Sequence, residues 1–300
     1  MNSIAPALAR TSSSGPESFA IEATTANPPH DEDLASQFDP ANGLLSLTPE
    51  DLRSAEQEFV FQVGKALRRK LTKRDATGRP YWEQPQVAGR PFIIALEVFY
   101  SISSLFHSVG FIANYLYGRR DVATYDSEGK LKLTAEAIGE HQYKGKRIPS
   151  GLFALPEAAH LSGVLFSNSG TVAKFNRIAT ERGYSPPDVT MIRIGTVYNP
   201  DPNAIKPQLF GYVVVPETEY FETFSEGLCL MHNPWARTPL AVGALKDVTE
   251  HRLLGDGRLA VSSSRLEPFT SQTPIFVGPG ANGIALTVLE AYLDPEASYE

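Results

Sequence analysis

Three carboxylates, Glu56, Glu83 and Glu97, are the residues whose types and spacing most directly suggest chemistry. At 100° per residue, Glu56 falls about 40° from Leu52, inside the apolar stripe of a helical pattern. Glu97 is the only charge in the apolar run FIIALEVFY, and Glu83 sits on a weaker strand pattern just before it. A carboxylate on a buried face needs a partner or a metal. Acids from one helix and adjoining strands are how Mg²⁺ is held for phosphodiester hydrolysis. On this reading Glu56, Glu83 and Glu97 are metal ligands and catalytic groups together.

Two further groups of residues suit an anion. Lys65 to Arg74 reads KALRRKLTKR, six bases in ten, and its Arg68 and Arg69 could contact a phosphate backbone. The same bases also favour the C-terminal end of a helix with no ligand at all. From His160 to Arg177 the sequence is HLSGVLFSNSGTVAKFNR, which reads as a buried strand, a hydroxyl-rich turn and a helix start. Ser169 and Thr171 could bind phosphate there, with Lys174 and Arg177 on one helix face as counter-charges. Simple helix capping needs the same hydroxyls. A third place is the strand end at His232-Asn233-Pro234, where His232 and Asn233 could orient or protonate a small substrate. Cys229, three residues earlier on a strand, points to the opposite face from His232 and is a poor nucleophile for it.

The elements that must position these groups follow from pattern. Thr48-Pro49-Glu50-Asp51 is a helix start, and Phe59, Val63, Ala66 and Leu67 continue one apolar face to about Thr72. Strands are expected at Tyr81–Val87 and Phe92–Tyr100, then a helix from about Ser103 to Tyr117. Asp126-Ser127-Glu128-Gly129 reads as a turn leading into a strand at Lys130–Thr134. The helix after Ser167–Thr171 should reach about Arg182 and stop at Gly183. Beyond Pro186, strands are expected at Met191–Tyr198, Leu209–Val215, Gly227–Met231 and Ile284–Leu289. The fold class implied is α+β: a mixed central sheet flanked by helices, with a β-rich C-terminal half. Three regions are expected: a disordered acidic tail over 1–43, an α/β core over 44–185, and a β-rich region over 186–300 packed on or continuing the core.

The net charge of −7 is unevenly distributed. Residues 1–43 carry −5 and residues 290–300 carry −4, which leaves +2 on the body between them. A nucleic-acid partner is therefore compatible with the acidic bulk composition. The tail could also serve as an arm for a protein partner. One cysteine, Cys229, excludes an internal disulfide and any multi-cysteine zinc site. Neither a Gly-x-Ser-x-Gly elbow nor a nucleotide-binding glycine loop is present. The most apolar segment, Pro91 to Phe111, contains Glu97, His107 and several serines, so no membrane span and a cytoplasmic protein are expected.

From Glu50 to Arg182 the order helix with Glu56, strand, strand with Glu97, helix, strand, helix resembles the restriction-endonuclease-like PD-(D/E)xK nuclease core. That family places Glu-x-Lys on the second strand. Here Glu97-Val98-Phe99 has phenylalanine at the lysine position, so the resemblance implies a metal-dependent nuclease-like core, degenerate or misassigned as readily as active. LFSNSGTVAKFNR and LMHNPWARTPL are similar to an uncharacterised family of bacterial proteins over much of residues 55–275, which carries no activity across. The expected function is action on a phosphate-bearing ligand, nucleic acid above others, with Mg²⁺. Its rivals are a non-catalytic binding or assembly module of a larger bacterial system, and a small-molecule enzyme using His232 and Asn233.

Overall fold

A computed structural model of the chain describes residues 7–9, 18–26, 49–98, 109–201, 204, 206–216, 221–263 and 266–294. In chain order the elements begin with β1 (Ala7–Ala9), β2 (Phe19–Ala26), α1 (Pro49–Thr72), β3 (Phe92–Val98) and α2 (Val109–Tyr117). Next come β4 (Arg119–Tyr125), β5 (Leu131–Ala137), β6 (Glu140–Tyr143), β7 (Lys146–Pro149), β8 (Gly163–Ser167) and α3 (Val172–Glu181). The remainder are β9 (Val189–Val197), β10 (Gln208–Val213), β11 (Leu228–His232), β12 (Thr249–Leu253), β13 (Leu259–Ser262), β14 (Thr270–Gln272), β15 (Ile275–Val277) and α4 (Ala281–Leu293). The fold is α+β, with many strands and four helices among the described residues.

The chain divides into two compact units, and both are discontinuous. Unit 1 takes residues 1–168 and 228–262; unit 2 takes 169–227 and 263–300. This corrects the expected boundary at 185/186. Residues 228–262 supply strands to the first unit, and α3 belongs to the second.

Unit 1 is built on a seven-stranded mixed sheet of order β1-β2-β3-β8-β11-β12-β13. Strands β2, β3 and β8 run parallel, and β11 is antiparallel to β8. One face packs on α1 and α2 through Phe59, Val63, Leu67, Ile94, Leu96, Ile112 and Phe166, all essentially solvent-free. Burying each of these large side chains stabilises the fold by about 1.5–3 kcal/mol. The other face holds a smaller cluster in which Phe19, Ile93 and Leu230 meet Leu240 and Val248.

Strand β2 overturns part of the expected tail. FAIEATTA has a single large aromatic, which is why composition reads it as solvated, yet its small and β-branched residues fit a strand beside β3. Its acid, Glu22, is buried and neutralised internally: Lys70 Nζ donates to Glu22 Oε1 at 2.5 Å and the Tyr81 hydroxyl donates at 2.8 Å. Apart from residues 7–9 and 18–26, the 1–43 segment lies outside the described residues, as do the Thr48 cap and residues 99–108.

Tyr81–Glu83 is a 3₁₀ turn rather than the start of a strand, because Pro80 and Pro85 bracket it and remove donors from any ladder. The Asp126–Gly129 turn does join two strands, β4 and β5. No described helix is long and apolar enough to cross a membrane.

Unit 2 pairs β9 with β10, β14 and β15, all antiparallel, and α4 packs on this small sheet through Ala285 and Leu289. Residues 284–289, expected as a strand, belong to α4. Their apolar run masks the 3.6-residue period, so only the N-terminal glycine turn, Gly280 at φ +83°, marks the helix start.

Candidate functional site

The three acids read as a metal site do not converge, and the sheet itself separates Glu56 from Glu97. Glu56 sits on α1, against the face that carries Ile94, Leu96 and Val98. Glu97 alternates with those residues and so points with Ile93 to the opposite face. It stands level with Thr25 and Ser167 at the C-terminal end of the parallel strands. Glu83 is exposed in the 3₁₀ turn, near His160, which precedes the start of β8. Among the described residues the three carboxylates do not lie within 4.8 Å of one another. The Glu56–Glu83–Glu97 assignment as Mg²⁺ ligands and catalytic groups is therefore withdrawn.

The anion site read at Ser169–Arg177 is corrected too, because its charges are consumed inside unit 2. Thr171 is the N-cap of α3, its hydroxyl accepting from the Lys174 N–H at 3.3 Å, while Ser169 Oγ donates to the Glu226 carbonyl at 3.5 Å. Lys174 is buried and donates to the carbonyls of Phe224 (3.2 Å) and Glu226 (2.5 Å). Arg177 grips Glu222 through two 2.7 Å bonds and also reaches Thr273. Arg193, the only charge in the apolar stretch of β9, completes the network. It donates to Glu226 Oε1 at 2.7 Å, Ser271 at 2.9 Å and Tyr212 at 3.2 Å. Glu181 accepts from the Glu222 N–H at 2.9 Å, and burial pushes its carboxyl up from the ordinary 4.5. Three cations and three acids are thus enclosed together, an arrangement that holds unit 2 and keeps the Lys174, Arg177 and Arg193 charges out of solvent. Arg193 carries the same sequence signal as Glu97, a lone charge in an apolar strand, which needs an internal partner.

At the third place the two residues part company. Asn233 is a structural clamp: its amide donates to the carbonyls of Ala158 (3.0 Å) and Leu161 (2.7 Å), and its Oδ1 accepts from the Trp235 N–H. His232 is buried with its Nε2 3.6 Å from Glu250 Oε1; burial is the largest influence on its pKa and lowers it from 6.5. Glu250 also accepts from the Gly243 N–H at 2.8 Å. Both side chains are buried rather than presented to solvent at the strand end.

What the clamp positions is more informative. By fixing the turn after β11, with the Arg237 N–H donating to the Ala159 carbonyl at 2.8 Å, Asn233 sets Trp235 and Arg237 on the surface of unit 1. Arg237 Nη1 approaches His160 Nε2 at 3.3 Å. The His160 ring lies flat on Trp82, centroids 4.9 Å apart and planes within 4°. Arg74 covers the Trp82 indole at 5.6 Å. The result is a column Arg74–Trp82–His160–Arg237, with planes held by stacking and cation–π attraction. Burial, then the charge of Arg237, lowers the His160 pKa from its ordinary 6.5, against an opposing pull from Glu83.

The basic end of α1 adjoins this column. Lys70 is tied to Glu22, while Lys73 follows the helix end, exposed, with its ammonium 5.5 Å from the Tyr81 ring. Arg69 is exposed, and Arg68 is half-buried with its guanidinium 3.8 Å from Glu157. Of the two arginines expected to meet phosphate, only Arg69 is presented to solvent without a carboxylate within 4 Å among the described residues. The column was missed in the sequence because Trp82, His160 and Arg237 are separated by about 80 positions each.

Comparison of the chain with models of protein families, with characterised proteins and with solved structures finds no match.

Proposed function

We propose that this protein binds a polyanionic strand, nucleic acid above others, through the basic and aromatic surface at the end of α1, and that this chain supplies no metal-dependent cleavage. The observation that carries the reading is the column Arg74–Trp82–His160–Arg237. Exposed guanidinium groups held in fixed planes present paired donors to phosphate oxygens at little entropic cost. Arg69 and Lys73 extend the positive surface, and Trp235, about half exposed, offers a ring beside Arg237 on which a base could stack. The +2 balance of residues 44–289 agrees with such a partner.

The test is fluorescence anisotropy with a labelled single-stranded oligonucleotide across a salt series. Affinity should fall with salt, with a log–log slope that drops by about one for each phosphate-contacting cation removed. Lack of binding at low salt, or an unchanged slope in the Arg74→Ala/Arg237→Ala variant, overturns the reading.

A further inference from the structure

A second site, independent of the basic surface, lies where the first half of α1 meets the loop between β5 and β6. There a cleft of about 510 Å³ is lined by Arg53, Glu56, Gln57, Arg120, Glu140 and His141, among others. Its size falls in the range of small-molecule sites. Arg53, Glu56 and Gln57 are spaced i, i+3, i+4 and therefore share one helix face.

Two lining groups have open hydrogen-bonding capacity. Arg53 has no hydrogen bond or ion pair among the described residues, whereas Arg120 is held by Glu136 at 2.9 Å and Glu140 by Arg147 at 3.3 Å. His141 is 98% buried, and only one of its ring nitrogens is used: Nε2 meets Ser150 Oγ at 3.0 Å, while Nδ1 has no partner. Ser150 Oγ in turn lies 3.5 Å from the Asn114 carbonyl, and Tyr115 packs edge-on against the imidazole at 5.8 Å. The ring is thus fixed, and the direction of the Ser150 hydroxyl decides whether Nδ1 donates or accepts.

We infer that this cleft is a binding site for a small hydroxy- or amino-carboxylic acid, with the ligand carboxylate on Arg53 and its hydroxyl or amine on the Glu56 and Glu140 carboxyls. The two acids in the lining select against a doubly charged phosphate, and Arg53 offers the planar fork that matches a single carboxylate. Burial moves the Glu56 carboxyl pKa up, against the opposing pull of Arg120 and Asn114, and moves the His141 imidazole down.

Calorimetric titration of the full chain tests the assignment with lactate, malate, serine and aspartate as ligands and inorganic phosphate as control. The expected result is saturable 1:1 binding of at least one of the four acids, with Kd below about 1 mM, and no saturable binding of phosphate. Arg53→Ala, an exposed position that should fold normally, should weaken binding at least about tenfold. Arg74→Ala, which belongs to the polyanion surface, should leave it unchanged. The assignment fails if none of the four acids saturates, if phosphate binds as tightly as they do, or if Arg53→Ala binds like the native chain. Loss of oligonucleotide binding in Arg74→Ala with this titration intact would separate the two sites.

Discussion

Lys174 and Arg177 on α3, and Lys73 and Arg74 beyond the end of α1, look alike in the sequence: cations closely spaced at a helix or its end. In unit 2 the pair is sealed with Arg193 against Glu181, Glu222 and Glu226, each side chain almost completely buried. Around α1 in unit 1, Glu22 and Glu157 take up Lys70 and Arg68, while Arg69, Lys73 and Arg74 are exposed, the last two beside the Tyr81 and Trp82 rings. The difference lies in what surrounds each group. Enclosed charges hold a unit together only as a complete set, because each would carry several kcal/mol of desolvation cost alone. Solvated charges contribute little to stability and remain available to a partner.

The largest expected effect breaks the enclosed set. Arg193→Ala leaves Glu226 buried without its cation and Glu222 with one fewer, and should cost about 3–5 kcal/mol in urea denaturation of the full chain. The pair Arg193→Met with Glu226→Leu should recover much of that loss, since an apolar pair of similar volume can replace a buried ion pair. A loss below about 1 kcal/mol for the single substitution would place the network among ordinary surface pairs and collapse the contrast.

Next in size is the open set. Arg74→Ala/Arg237→Ala should reduce oligonucleotide affinity about 10–100-fold while changing unfolding free energy by less than about 1 kcal/mol. If that variant instead destabilises the chain as much as Arg193→Ala does, the column is structural and the two regions are equivalent.

The readable part of this contrast was local. Pro49 and the acids after it marked α1, Asp126–Gly129 marked a turn, and Thr171 with Gly183 bracketed α3, because caps and turns depend on residues a few positions apart. Strand β2 and helix α4 were misread for opposite reasons: FAIEATTA looks too small to be buried, and IALTVL too uniformly apolar to show a helical period. The site was legible only as a list of cations. Whether a cation is sealed or open depends on partners such as Glu222, which lies 45 positions from Arg177, and no spacing rule reaches that far.

A smaller effect separates capping from phosphate binding at α3. Thr171→Ala should cost about 1 kcal/mol of stability, the usual value of an N-cap hydroxyl, and leave oligonucleotide affinity unchanged. A change in affinity without one in stability would return the Ser169–Arg177 turn to the binding surface.

The smallest effect is a slope rather than an offset. Glu181 lies in the sealed set with one oxygen accepting from the Glu222 N–H and the other, Oε1, buried without a partner. Burial raises its pKa above 4.5, and the carboxylate of Glu222 raises it further, while the Glu222 N–H and Arg193 act in the opposite direction. A raised carboxyl pKa means that the folded state holds the proton more tightly than the unfolded chain does. That contribution to stability is therefore complete below the unfolded value and is lost as pH rises through the folded one. Glu181→Gln removes the titration. Relative to the native chain, the variant should gain stability as pH rises through the unfolded value and level off above the folded one, measured as the difference in urea midpoints at each pH. A difference that is flat, or that falls with pH, would show that Glu181 is held ionised by Arg193. The sealed set would then be charge-balanced at three against three, and the contrast with the open set would sharpen.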